Sequence, residues 1–452
     1  MKKKKYKLTK AGKIYISIMV LVLLLILCLI FKNLFNNVDS NNDNNNNNLD
    51  NNNDKTTDVV DKVEEIDKSL EFIVSTKESD SDIIKEIFAD GMNLQEFKKV
   101  YNRKENYISE NGQYKYIEYD FDRKLHYSDI EEILNNVNNS SIAKVEIIGK
   151  SNDDRNLYGV EIGNGDRVLY IDANIHAAEV AGTLYLTRFI NDIVHKYESG
   201  DEDIINTLNN VKIALIPCLN PDSYEVYNFG VESIRNHDLW IYQNKDDVDF
   251  ENFKCNANGV DLNRNYPTQN AGMYYKSKNL ISSVSLKKTT SKTAYFGGSE
   301  LGSEPETRAS MYFMFKHYKN AYAYINLHSQ GRVLYAGKPN LSSEFNNSTL
   351  NFANKVAKIT GYMAFGLSSE EVGEGNDGSA TDFMAELANG LKFSSETLRM
   401  SSDKYEGDYN MEYDIPLITL ETLRTYTDDP SVFKNEYYNY GLEKLFYTLI
   451  KE

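Results

Sequence analysis

The sequence predicts an α/β domain with a mixed, largely parallel central sheet covered by helices on both faces, preceded by a membrane-spanning helix and a disordered linker. Three observations lead there. From about Tyr119 onward, short apolar runs (KVEIIGK, NLYGVEIG, RVLYIDANI, VKIALIPCLNP, AYAYINLHS, PLITLET) alternate with helix-like runs such as HYSDIEEILNNV and PETRASMYFMFKHYKN. Several of these runs are apolar throughout, as strands covered on both faces are. Polar residues with chemical capacity then end one run after another: His176 follows VLYIDANI, Asn220 follows VKIALIPCL, His328 follows AYAYINL and Glu421 follows PLITL. Ligands of open α/β sheets bind beyond the carboxyl ends of the strands, so the third observation also predicts where the site lies.

Taken in order, the chain opens with lysines at positions 2, 3, 4, 5, 7, 10 and 13 and no acidic residue among them. An uncharged run from Ile14 to Phe31 follows. A helix of that length reaches roughly 27 Å, about the thickness of the hydrocarbon layer of a bilayer. The sequence therefore predicts a cytoplasmic basic tail over 1–13 and a transmembrane signal anchor over 14–32, with the rest of the chain extracellular. A cleaved signal peptide, the alternative, would carry small residues after a shorter apolar run, whereas Ile30, Phe31, Lys32 and Asn33 stand there. Residues 33–55 are nearly all Asn and Asp and have too little apolar surface to offset the entropy of ordering, which predicts a flexible tether. Residues 56–118 read as a small helical spacer, and 119–452 as the main domain.

Composition narrows the function. A formal net charge of −17 with the acidic excess spread through the body argues against a nucleic-acid partner, which needs a clustered basic face. Cys28, Cys218 and Cys255 make no disulfide framework. Cys28 and Cys218 sit in apolar runs as small buried hydrophobes, and a Cys218–Cys255 bond is the alternative.

The stretch Val168 to Tyr197 holds the key change of period. Its strand-like opening gives way to Leu186, Phe189, Ile190, Ile193, Val194 and Tyr197 at helical spacing, with His176 and Glu179 at the changeover. A histidine and a carboxylate three residues apart can aim lone pairs at one point. Of six histidines, His126, His195, His237 and His317 fall on predicted helices or loops and read as solvated, whereas His176 and His328 end core strands. His176, Glu179 and His328 make a two-histidine, one-glutamate set with room for a fourth, exchangeable ligand, the pattern of a catalytic zinc site with one Zn2+ per chain. Glu421, behind the apolar PLITL, reads as a buried carboxylate with a raised pKa, suited to act as general base. Asn263 and Arg264, in NGVDLNRNYP, offer a clamp for a substrate carboxylate. Lys254 and Arg235 are candidate cations for an oxyanion.

His-Ala-Ala-Glu (176–179), Asn-Pro-Asp (220–222), Gly-Val-Asp-Leu-Asn-Arg-Asn-Tyr-Pro (259–267), Ser-Glu-Pro-Glu-Thr (303–307), Asn-Leu-His-Ser-Gln-Gly (326–331) and Ile-Thr-Leu-Glu-Thr (418–422) follow one another in this order. Together they resemble the zinc carboxypeptidase family across most of 120–452. The resemblance implies zinc ligands at His176, Glu179 and His328, carboxylate recognition at Asn263 and Arg264 and the general base at Glu421. Ser329 is a further candidate for substrate contact, and Asp261, Glu304 and Glu306, within the same motifs, read as structural.

GVDLNRNYP, SEPET and HSQG look most like the bacterial branch that includes γ-D-glutamyl-diaminopimelate endopeptidases. That branch implies a peptidoglycan stem-peptide substrate, which suits a tethered extracellular domain, and IIKEIFADGMNLQEFKKVYN is similar to the helix pair of a degenerate wall-binding module. A general metallocarboxypeptidase and a non-catalytic wall-binding protein are the competing readings. Two departures stand out. Digestive members place an Arg directly after a Trp, but Ile241 follows Trp240; the bacterial branch has a basic residue where Lys254 stands, with Arg235 as the reserve. Digestive members also close the site with a Tyr, for which Tyr405, Tyr409 and Tyr413 are the candidates.

Overall fold

The computed structural model describes residues 104–237, 240, 253–266, 268, 297–298, 302–336, 342–366, 378–389 and 413–452. The basic tail, the apolar run at 14–32, the Asn-rich stretch and most of the expected spacer lie outside the described residues, as do Ile241, Tyr405 and Tyr409. Among the described residues, no helix is long and apolar enough to cross a membrane.

The described elements are α1 (Tyr127–Val137), β1 (Ala143–Lys150), β2 (Asn156–Ile162), β3 (Arg167–Ala173), α2 (Ala181–Glu198), α3 (Glu202–Asn210), β4 (Val211–Ile216) and α4 (Pro221–Phe229), followed by α5 (Pro305–His317), β5 (Ala321–Ser329), β6 (Val333–Ala336), α6 (Ser343–Thr360), β7 (Met363–Phe365), α7 (Ala380–Ala388), β8 (Leu417–Thr422), α8 (Pro430–Asn439) and α9 (Leu442–Leu449). The strands form one eight-stranded sheet in the order β1-β2-β4-β3-β5-β8-β6-β7. Its centre, β4-β3-β5-β8, is parallel throughout. The antiparallel pairings β1-β2, β2-β4 and β8-β6 flank it. This is the mixed sheet that the sequence predicts, and its parallel part is the part buried on both faces.

The two faces are read directly from strand periodicity. Along β3, Leu169, Ile171 and Ala173 enter one core with helices α1, α2, α8 and α9, while Val168 and Tyr170 enter the other with α5 and α7. Ile325 and Leu327 of β5 join the first core and Tyr324 the second. The residues 104–118 lie against this domain: Ile108 N–H donates to the Val145 carbonyl at 2.9 Å, and Ile108, Tyr114 and Ile117 pack on the first core.

One glycine sets the distance between helix and sheet. A Cβ on Gly182, in the first turn of α2, would stand 2.9 Å from Ala173 Cβ and 3.2 Å from Leu327 Cβ. Only glycine lets the start of α2 come this close to the ends of β3 and β5, which brings Glu179 beside His328. His317, expected to be solvated, is instead buried on the second core, edge-on to Phe313 and beside Glu161. Tyr170 of β3 and Glu161 of β2 close over it, a long-range effect that its own neighbours in sequence do not announce. Cys218 and Cys255 are both buried thiols with no disulfide between them.

Candidate active site

The site forms where the strands stop. β3 ends at Ala173, and Asn174 takes a left-handed backbone (φ +58°), one of the few non-glycine residues able to do so at low cost. Its amide donates to the His176 carbonyl at 2.7 Å and its Oδ1 accepts from the Cys218 thiol at 3.2 Å, so the turn is fixed from both sides. Glu179 N–H then donates to the His176 carbonyl at 3.2 Å, closing a tight turn that presents both side chains together ahead of α2.

His176 Nδ1 lies 2.9 Å from Glu179 Oε1, and its Nε2 lies 3.1 Å from Asp261 Oδ1. His328, at the end of β5, has Nδ1 2.8 Å from Glu179 Oε2, while its Nε2 meets Asn326 Oδ1. Each imidazole thus has an oxygen acceptor at Nε2. Those acceptors suit the tautomer with the proton on Nε2, which frees the Nδ1 lone pair for a metal. Asn326 in turn donates to Asp172, which also accepts from Tyr324 Oη at 2.9 Å. The ligand-bearing atoms of His176, Glu179 and His328 all lie within 4.8 Å of one another, and all three residues are buried.

Glu421 faces this centre from the neighbouring strand, in register with His328. The residue is half-buried, but its Oε2 is shielded from solvent and has no hydrogen-bond partner among the described residues. Burial, and then the charge of Glu179, push its carboxyl well above the usual range, with Lys254 opposing. Burial would raise Glu179 as well, but His176, Lys254 and His328 hold it well below the usual range. One carboxylate is therefore kept ionised and the other is poised to take a proton. Lys254 Nζ lies 3.4 Å from Glu179 Oε1. Burial would lower its pKa, but Glu179, Asp261 and Glu421 outweigh that and keep it charged.

The turn that carries Asp261 also carries the candidate clamp. Asp261 Oδ1 accepts from Asn263 N–H at 3.1 Å, Asn263 Oδ1 accepts from Ala380 N–H at 3.0 Å, and Arg264 Nη1 donates to the Asn263 carbonyl at 2.6 Å. Asn263 and Arg264 are thus tied through Asp261 to His176. Ser329 uses its N–H on Glu179 Oε2 at 3.1 Å and its hydroxyl on Thr422 Oγ1 at 3.0 Å, so its contacts hold the ligand carboxylate and the strand pair.

Arg235 is not brought to the cluster by its contacts: its guanidinium donates to the Asp154 carbonyl at 2.8 Å and its N–H to Asp153 Oδ2 at 2.9 Å. Tyr413 packs edge-on to Tyr318 on the second core, so its ring serves packing there. Sequence reasoning missed Tyr426, whose hydroxyl lies 3.4 Å from Glu179 Oε1, and the service of Asp261 and Asn326 to the two histidines. Asp261 and Asn326 sit inside motifs already singled out, but Tyr426 sits in a polar loop that carries no signal.

Residues 130–422 match the family model for zinc carboxypeptidases. The chain belongs to the zinc carboxypeptidase family. The match begins within α1 and ends with β8, so it takes in all eight strands of the described residues. Curated relatives include the catalytic chain of carboxypeptidase N from Mus musculus, 29% identical over 167 residues, a match covering 35% of this chain and 34% of that protein. Another is carboxypeptidase A6 from Homo sapiens, 28% identical over 216 residues and covering 46% of this chain and 44% of that protein. The matches thus span between a third and a half of these relatives' lengths. Among solved structures, carboxypeptidase A from Helicoverpa armigera superposes with a TM-score of 0.51 at 18% identity, over 75% of each chain, a likeness of fold.

The residues present fit the family's metal. Two imidazole nitrogens and one carboxylate converge, each imidazole is backed by an oxygen acceptor, and the orphaned Oε2 of Glu421 faces the same centre. His176, Glu179 and His328 are the residues that would hold zinc.

Proposed function

We propose that the chain is a membrane-anchored, extracellular zinc peptidase that hydrolyses peptidoglycan stem peptides at the γ-D-glutamyl-diaminopimelate bond. The observation that carries the peptidase part is the convergence of His176, Glu179 and His328 opposite Glu421, whose Oε2 is shielded and has no hydrogen-bond partner among the described residues. The substrate and the location draw on the sequence: the bacterial-branch motifs GVDLNRNYP, SEPET and HSQG, and the lysine-flanked apolar run at 14–32.

Zinc at such a site supplies Lewis-acid polarisation of the scissile carbonyl and a lowered pKa for water. The chain's own groups do the rest. Asn263 and Arg264 receive the substrate carboxylate, which belongs to diaminopimelate in this reading, and fix the register of the bond to be cut. Glu421 takes a proton from the attacking water at its shielded oxygen and delivers it to the leaving amine; its raised pKa matches a group that must both accept and give. Lys254 stays charged beside Glu179 and faces the negative charge that develops on the carbonyl oxygen.

The relatives named as carboxypeptidases favour a second reading, removal of C-terminal residues from ordinary peptides. Mass spectrometry of purified muropeptides incubated with the zinc-loaded full chain separates the two. Fragments cut between D-glutamate and diaminopimelate support the first; intact muropeptides together with single residues released from a peptide library support the second.

A further inference from the structure

We propose that Tyr426 is a catalytic residue whose phenol hydroxyl, together with Lys254, donates a hydrogen bond to the oxyanion formed at the attacked carbonyl. This rests on the peptidase reading above. β5 and β8 are adjacent parallel strands with His328 opposite Glu421, and the loops that leave them are fastened together. Gly331 N–H donates to the Leu423 carbonyl at 2.8 Å, and Tyr426 N–H donates to Gln330 Oε1 at 3.0 Å. Leu423 adopts a left-handed backbone (φ +58°) and its N–H reaches the buried Glu436 carboxylate at 3.3 Å. A loop secured at three points delivers the phenol five residues beyond the base.

The hydroxyl arrives in a telling place. It lies 3.4 Å from Glu179 Oε1, and Lys254 Nζ lies 3.4 Å from the same oxygen. Both contacts are long for a hydrogen bond, so Glu179 holds neither donor in a short bond. Two donors from distant segments therefore meet beside the ligand carboxylate. A phenol hydroxyl carries its proton near neutral pH and so stands there as a donor.

Packing does not account for this hydroxyl. Core phenols among the described residues offer a contrast: Tyr224 is bonded to the Leu125 carbonyl at 2.8 Å and Tyr324 to Asp172 at 2.9 Å, while Tyr185 is stacked against Tyr437. Tyr426 is half-buried, and among the described residues its hydroxyl bonds only to Glu179, at 3.4 Å. Catalytic hydrogen bonds are commonly long without substrate and shorten in the reacting complex.

The test is Tyr426→Phe in the full chain, which keeps the ring and removes the donor. Three readouts are compared with wild type: kcat and KM on a peptide that wild type cleaves, zinc affinity by chelator competition, and the Kd of a phosphinic peptide whose tetrahedral oxygens stand in for the oxyanion. The expected result is kcat lower by about a hundredfold with KM unchanged, phosphinic peptide bound about tenfold or more weakly, and zinc affinity unchanged. Wild-type kcat and phosphinate binding overturn the proposal. Weaker zinc binding with normal kcat at saturating zinc also overturns it and makes Tyr426 a positioning residue for Glu179. A wild-type chain that cleaves no peptide removes the peptidase reading itself, and this role with it.

Discussion

Asp261 touches no substrate in this account, yet its loss is expected to weaken the metal site. Its Oδ1 stands 3.1 Å from His176 Nε2 and also accepts from Asn263 N–H at 3.1 Å, so one oxygen orients a ligand and caps the turn that carries the candidate clamp. Partners of this kind are worth about 10- to 100-fold in metal affinity, or about 1.4–2.7 kcal/mol. Asp261→Asn keeps an oxygen for both donors but removes the charge, and a neutral bond is roughly half as strong as a charge-assisted one, which puts it near the tenfold end. Asp261→Ala removes the acceptor as well and belongs near the hundredfold end, with a further loss of about 1 kcal/mol of fold stability from the uncapped turn. Zinc affinity is measured by competition with a chromophoric chelator, and the stability term by denaturant titration of metal-free protein. Zinc affinity in Asp261→Ala equal to wild type would refute the reasoning, since His176 would then be oriented without its carboxylate.

His328→Ala removes a ligand outright and is expected to abolish stoichiometric zinc in metal analysis after dialysis; a retained equivalent of zinc would break the ligand set. A pH prediction comes from the far edge of the sheet, where Glu161 Oε1 lies 2.8 Å from Lys316 Nζ and 3.1 Å from His317 Nε2. Burial raises the Glu161 carboxyl, but His317 and Lys316 more than reverse this and bring it from 4.5 down to about 2. Burial lowers the pKa of His317 itself, so the permanent charge of Lys316 is the dependable partner. A depressed carboxyl pKa contributes stability above its unfolded value that is lost as pH falls through its folded one. Metal-free protein is therefore expected to lose up to about 3 kcal/mol from this group between about pH 4.5 and pH 2. Denaturant midpoints of wild type and Glu161→Gln should converge over that window, and parallel curves would count against the ion pair.

The parts of this molecule that were legible in the sequence are those where function interrupts a local pattern. A histidine or glutamate that ends a fully apolar run has no packing reason to be there, and so His176, His328 and Glu421 stood out and the structure places them at one end of one sheet. The central parallel strands were legible because each carries a run of mostly apolar residues. The short edge strands β6 and β7 carry four and three residues and leave no comparable period. Asp261 was visible within its motif, but its bond to His176 joins residues far apart in sequence, and no local pattern encodes that. Tyr426 gave no sign at all, since a tyrosine between threonines in a polar loop reads as surface until Gln330 is seen to hold its backbone. His317 misled for the converse reason: Glu161 of β2 and Tyr170 of β3, far away in sequence, close over it together with Phe313 of its own helix.

The account's central claim is that Glu421 is the proton carrier of a peptidase whose metal is held by other residues. Glu421→Gln tests it most directly, with zinc content and peptide hydrolysis measured on the same preparation beside wild type. The prediction is one zinc per chain in both proteins and hydrolysis in wild type alone, slowed in the variant by about 100-fold or more. Hydrolysis by the variant at the wild-type rate, or loss of zinc together with activity, would contradict it.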